Sequence, residues 1–484
     1  MNGGKYPCWR SALAIAVTVW LAGCAAHADT MGGVREALLH NDLDEARARL
    51  ADAGRGTDDL LFALEDGLLL HYAGDPELSN ARFEFAEQRV DELYTKSVAR
   101  AAISLVTSDL VLKFEPRGID NFLINYYRAL NYMQLDDEPG ALVEWRKLNS
   151  KLQFSRQQGD ARYLDPPFFD YLAGLGLEAD DPNEAYVSMR LAEAGYRVRG
   201  IAPPVELLDD LFRLAGDLGF EDHLEMYRGR YGVPADLEPL SYSEPGGGGA
   251  GGEFGARTGE VVVLLEDGLV APIEEVRAYI PITEERASAL EGSDREDRFD
   301  LALSLAEDYE RGRYRDVTRR HAKRREIAYV MPLSLPAYGR GDPAFDWAEV
   351  IVGDASADAR VLLEVSALQR AAFEDALLGI YAKTIARALV KWFAAAKLEE
   401  EAEEEGGDTA GDIVGALANV INVATERADT RAWLGLPDRI WMVRVRVAPG
   451  IHELRVRLPE FGEQSLGPVE VKAGSRTFVS FRVF

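Results

Sequence analysis

The chain holds six histidines (His27, His40, His71, His223, His321 and His452) and two thiols, Cys8 and Cys24. Imidazole and thiolate are the groups that most often ligate zinc or act as base and nucleophile near neutral pH. No pair of these residues stands at helix or hairpin metal spacing, so neither a metal centre nor a cofactor is expected. A Gly-x-Ser-x-Gly elbow is absent, as is a Ser-x-x-Lys with supporting motifs. His452, Asp429 and a serine make a triad only if the fold happens to bring them together. The expectation is a turn histidine capping strand groups. Carboxylates abound, but an acid pair leaves no spacing signature that sequence can read. The one basic concentration is residues 311–325, with Arg319, Arg320, Lys323, Arg324 and Arg325 at its centre. It reads either as a docking patch for an acidic partner or envelope polyanion, or, more simply, as a solvated face answering the chain's own acids.

The chemistry that does have a signature is acylation. Lys5 and Arg10 precede an apolar run at residues 12–20, and Leu21-Ala22-Gly23-Cys24 follows. A basic start, a short apolar run and a small-residue exit make an export signal. The run is shorter than the about 20 residues a spanning helix needs. Leu-Ala-Gly-Cys resembles the bacterial lipoprotein box. The resemblance implies that residues 1–23 are removed and that Cys24 carries lipid on its sulfur and its new amine. Residues 24–33 then form a tether. Ala25 and Ala26, where an inner-membrane retention signal would place Asp, imply the outer membrane and a periplasm-facing body. With Cys8 removed and Cys24 acylated, no intrachain disulfide is expected. A net charge of −28 and a pI near 4.7 repel nucleic acid and anionic headgroups. Attachment then rests on acyl chains, at about 0.8 kcal/mol per buried methylene.

A length of 484 residues implies about two to four domains. Residues 34–240 carry helix-period apolar patterning broken at Gly, Asp and Pro. Short helices come in pairs, at 60–71 with 77–93, 125–150, 168–196 and 205–231, with an opening pair at 34–50 and a degenerate one near 99–114. Gly67, Leu70, Gly74, Ser79, Phe83 and Ala86 fall where a tetratricopeptide repeat sets its small and large packing residues, and the repeats loosely resemble that family. Stacked pairs make a curved peptide-binding surface. Tyr126, Tyr127, Tyr132, Trp145, Phe168 and Phe169 are candidates to line it, or else are repeat core.

Residues 241–259, with a Gly246–Gly249 run, read as a flexible linker. An α+β half follows. Residues 260–273 read as a hairpin turning at Asp267-Gly268. Strands are expected near 276–281, 327–335, 347–353 and 360–366, and helices at 298–311, 368–398 and 412–427. The acidic stretch 399–405 reads as a mobile segment. The domain reading is 260–427 as an α+β unit and 428–484 as a C-terminal β subdomain with sandwich-like strands.

The stretch Asp429-Thr430-Arg431-Ala432-Trp433-Leu434-Gly435-Leu436-Pro437 with the Pro449-Gly450-Ile451-His452 turn resembles an uncharacterised family of Gram-negative outer-membrane lipoproteins. The family joins tetratricopeptide-like repeats to a C-terminal α+β part. Its members tend to be encoded beside lipoproteins similar to penicillin-binding-protein activators and curli-secretion components, which implies cell-envelope assembly. The function expected is a non-catalytic scaffold that binds envelope proteins through its repeats and the membrane through Cys24, with no nucleic acid and an open oligomeric state. The alternative is an envelope glycan-binding or glycan-processing module in the second half. A buried Arg431 and Trp433 tying helix to sheet would favour the scaffold. A cleft holding Arg431, His452 and paired carboxylates would favour the module.

Overall fold

The computed structural model describes residues 31–54, 59–95, 114, 116, 118–158, 166–232, 258–290, 295–312, 327–406 and 427–484. Cys24, nearly all of the linker, the basic cluster from 313 onward, the pair near 99–114 and the expected helix at 412–427 lie outside the described residues.

The first half is helical. After α1 (residues 31–39) and α2 (Leu43–Ala53) come four helix–turn–helix pairs. They are α3 (Asp59–Tyr72) with α4 (Pro76–Thr95), α5 (Asp120–Gln134) with α6 (Glu138–Gln158), α7 (Pro167–Leu177) with α8 (Pro182–Val198), and α9 (Val205–Asp217) with α10 (Glu221–Tyr231). Each pair packs on the next. Short acids, Asp75, Asp137 and Asp181, start three of the second helices: Asp181 accepts from the Asn183 and Glu184 amides at 3.0 and 2.9 Å, satisfying donors a helix start leaves open. Inside a pair the small residue lets helices close in. Gly67 sits under the Phe83 ring, where an added Cβ would lie 3.1 Å from Cε1, and Ser79 Oγ donates to Gly67 O at 2.7 Å.

The second half is built on two four-stranded sheets. Its strands are β1 (Gly259–Asp267), β2 (Ile273–Thr283), β3 (Ile327–Tyr338), β4 (Glu349–Val352), β5 (Ala355–Asp358), β6 (Arg360–Glu364), β7 (Arg439–Val447), β8 (Gly450–Leu458), β9 (Gly462–Val471) and β10 (Arg476–Val483). One sheet runs β10-β1-β7-β6 and the other β5-β4-β8-β9. Val261, Val263 and Leu265 of β1 meet Val350, Leu454 and Val456 in a shared inter-sheet core. The alternate residues Val262 and Leu264 face the opposite way, into a core made mostly by α3, α5, α7 and α9. Three layers result: helices, inner sheet, outer sheet. Strand β1 is buried along its whole length because it serves both cores.

Several expectations are corrected here. Residues 260–273 form no hairpin: β1 pairs in parallel with β10 and antiparallel with β7, while β2 pairs with β3. Gly268 does turn the chain, at φ +64, but into an isolated bridge from Leu269 to Asp342. The spans 260–427 and 428–484 share both sheets, so the C-terminal strands are completed by β1, β4, β5 and β6. The acidic stretch 399–405 continues the helix α13 (Val365–Gly406), as glutamate's helix propensity allows. Between β2 and β3 lie α11 (Glu284–Leu290) and α12 (Arg295–Glu310). The β2–β3 ribbon, α12 and α13 share a satellite core through Ile280, Leu305, Leu333 and Ile385.

Candidate functional site: the seam between the halves

The first helix of each pair turns its apolar face to the inner sheet. Tyr126, Tyr127, Phe168 and Phe169 are fully buried in the core that also holds Val262, Leu264, Trp433, Ile440 and Met442. The surface that sequence offered to a peptide is therefore occupied by the chain's own second half. Trp145 is buried between α6 and its neighbours, under Gly176, and Tyr132 is half-buried.

Beside Arg35 on Val270 O and Asp342, and Gln369 on Asp120, three buried polar clusters pin this seam among the described residues. At the first, Glu65 on α3 is fully buried and accepts from the Leu434 and Gly435 amides at 2.6 and 3.1 Å. Burial pushes its carboxyl up to about 8, against the pull of those two amides. Beside it Trp433 packs against the stacked Phe83 and Tyr127 rings, with ring centroids at 5.9 and 6.2 Å. At the second, Glu266 of β1 accepts from the Tyr126 and Tyr127 hydroxyls at 2.9 and 3.1 Å.

The third is an ionic network. Arg444 of β7 is 2 % exposed in its side chain and pairs with Asp210 of α9, Glu260 of β1 at 2.7 Å and the Tyr171 hydroxyl at 2.6 Å. Arg476 of β10 adds Glu260 at 2.8 Å and Glu178 at 2.8 Å, and Arg213 reaches Glu178 at 2.7 Å. Burial alone would raise the Asp210 carboxyl, but Arg444 and Arg476 hold it far below the usual carboxylate range. The acids in turn hold the Arg444 guanidinium charged against its burial. Charges so matched are spent on each other and are poor acids or bases near neutral pH.

The residues of the 429–437 and 449–452 stretches fall on the seam or beyond it. Asp429 takes Arg431 in a two-pronged pair, with Nε at 2.9 Å from Oδ1 and Nη2 at 2.9 Å from Oδ2, and the Arg431 side chain is 10 % exposed. Thr430 lies between them, half-buried. Trp433 and Leu436 are core, and the Leu436 carbonyl accepts from the Val270 amide at 3.0 Å just ahead of Pro437. Gly450 and His452 belong to the outer sheet instead. The His452 ring meets Ala448 O at 2.7 Å across the Pro449-Gly450 turn, where Gly450 holds φ +146. Arg431 thus lies in the segment ahead of β7, and His452 on a strand of the outer sheet. Of the basic stretch, Arg311 is described and pairs with Glu307 at 3.0 Å. Among the described residues, no group of three or more His, Cys, Asp or Glu could hold a metal, and no helix is long and apolar enough to cross a membrane.

Sequence reasoning missed Glu65, Asp210, Glu260, Glu266, Arg444 and Arg476. The signal was there as charge in apolar surroundings: Glu65 inside Leu60–Leu70, Glu260 and Glu266 bracketing a run of five aliphatic residues, and Arg444 between Val443 and Val445. Comparison with protein-family models, with curated proteins and with solved structures found no match.

The Glu65 contact gives a pH test. Its folded carboxyl sits near 8 against an ordinary 4.5, so its stabilisation is fully present below pH 4.5 and is lost as pH rises through 8. Buried His71 works the other way, since burial lowers its ring and stability gained from it grows as pH rises through 6.5. Urea midpoints measured from pH 5 to 9 for the parent and for Glu65→Gln separate the two. The parent should lose stability relative to Glu65→Gln by a few kcal/mol across that window. A constant difference would show that Glu65 is charged throughout.

Proposed function

We propose that this chain is a non-catalytic outer-membrane lipoprotein, acylated at Cys24, that serves as a periplasmic protein–protein interaction scaffold in cell-envelope assembly. The helix pairs are read as tetratricopeptide-like repeats and residues 241–259 as a flexible connection. One observation carries the reading: the Asp429–Pro437 stretch is used to join helix to sheet, with Trp433 buried against Phe83 and Tyr127, the Leu434 and Gly435 amides on Glu65, and Arg431 paired within the stretch to Asp429. Shape, and not a reactive cluster, is what those residues build.

The interaction surface moves outward as a consequence. The inner aromatic face is filled, while the second helices expose apolar side chains: Leu78 and Phe85 on α4, Val143 and Phe154 on α6, Val187 and Leu191 on α8. Crosslinking with mass spectrometry in intact cells should give recurring links from this outer face to defined envelope proteins. Val187→Asp with Leu191→Asp should remove those links without unfolding the protein. Links scattered over abundant neighbours, unchanged by the double variant, would overturn the scaffold. A clickable fatty acid should label the parent and not Cys24→Ser. Equal labelling would overturn the anchor.

A further inference from the structure

Among the described residues, β2 pairs with β3 alone, so each strand of this ribbon has one outer edge. The register sets Pro332 opposite Tyr279, Pro336 opposite Glu275 and Pro281 opposite Val330. Proline has no N–H to give, so these must be the alternate pairs whose backbone groups point away from the ribbon. All three fall on one alternating set, as that requires. The two edges are therefore unequal. Along β3 the outward donors at 332 and 336 are missing, which blocks a further strand. Along β2 the outward groups of Glu275, Arg277 and Tyr279 are intact up to Pro281. No described backbone group bonds to these main-chain groups, while one carboxylate oxygen of Glu275 accepts from the Ala428 amide at 3.0 Å and leaves the other for a partner. Glu275, Val276, Arg277 and Tyr279 are all exposed, Tyr279 at 60 %.

We propose that the β2 edge pairs antiparallel with the β2 edge of a second copy of this chain, about a two-fold axis through Val276. Outward residues must face outward residues, so the central registers place the axis at 275, 276 or 277. An axis at 275 sets Glu275 against its own copy, and one at 277 sets Arg277 against its own copy. Like charges directly opposite destabilise a strand pair. The axis at 276 sets Glu275 against Arg277 of the second copy, twice by symmetry, Ile273 against Tyr279, and Val276 against itself. Charge and apolar surface are complementary in that register alone among the three. The inference stands apart from the lipid anchor and from any partner on the helical face.

The test uses the full chain with Cys8→Ser and Cys24→Ser, so that an introduced cysteine is the single thiol. In this register Val276 and its copy form a pair without mutual hydrogen bonds, at a Cα separation of about 4.5 Å, inside the range a disulfide spans. Val276→Cys should therefore trap a covalent dimer on mild oxidation. Tyr279→Cys, which faces Ile273, should trap at least tenfold more slowly. Adding Arg277→Glu to the Val276→Cys chain should slow trapping at least tenfold by setting acid against acid. Glu275→Arg together with Arg277→Glu should restore it. Arg277→Pro removes only an outward donor, so that chain should keep its melting temperature and lose the dimer. Failure of Val276→Cys to trap, equal trapping at 279, or indifference to Arg277→Glu would overturn the proposal. So would trapping of another protein in place of a second copy.

Discussion

Replacing Arg444 by alanine is expected to lower the unfolding free energy by about 3–5 kcal/mol, the range for breaking a buried pair from one side. The guanidinium is shared by Asp210 and Glu260 and meets the Tyr171 hydroxyl, all at the helix–sheet seam. Its removal leaves two buried carboxylates with less than the charge they were buried against. Arg476 still reaches both, at 3.3 and 2.8 Å, so part of the field survives. Arg444→Met with Asp210→Leu, Glu260→Leu and Arg476→Met should recover much of the loss, because apolar replacement of a whole buried ionic group is often neutral and Glu178 keeps Arg213. Arg444→Ala alone should also flatten the acid side, since carboxylates that lose their partner titrate at higher pH and the folded chain then takes up protons more readily, so the deficit should shrink from pH 7 to pH 5. A urea titration at pH 7 and at pH 5 reads both effects. A change below 1 kcal/mol would mean the network is far wetter than its geometry states.

Trp433→Ala is the second large effect, again about 3–5 kcal/mol. Trp433 is fully buried against Phe83 and Tyr127, and two backbone amides next to it are held by Glu65. Truncation leaves a void at the place where the second half enters the first. Among the described residues its indole N–H has no partner. Trp433→Phe, which keeps most of the ring and drops that donor, should cost less than half as much. Calorimetry of both variants decides it. Equal losses would mean the indole does more than fill space, and similar small losses would mean the segment is not seated as described.

The helical half was legible because its cues are local. Gly74, Asp136 and Gly219 hold φ of +75, +56 and +72 at the turns between paired helices, where short polar or glycine residues are the sequence mark. Gly67 against Phe83 follows the same small-to-large rule. The sheet half was legible strand by strand but not in its pairing. Glu260 pairs with Arg476 and Arg446, far along the chain, while the nearest strand signal, at 270–273, offered a false hairpin. A central strand such as β1 is apolar on both faces, so its alternation hides which core each residue serves. The aromatic face failed for another reason. Composition shows that Tyr126, Tyr127, Phe168 and Phe169 need burial, but not whether a foreign peptide or the chain's own sheet provides it.

The seam joins points remote in sequence, as when Glu65 holds Leu434 or Tyr171 meets Arg444. A contact map weighted so heavily toward distant residues folds slowly, since loop closure must come before any reward. As the chain folds, the helix pairs form early on local contacts, yet their greasy inner side stays bare until β1 and β7 are delivered. An intermediate of that kind invites aggregation. This chain's passage to maturity should therefore depend on holdase chaperones that shield the helical half in the interval.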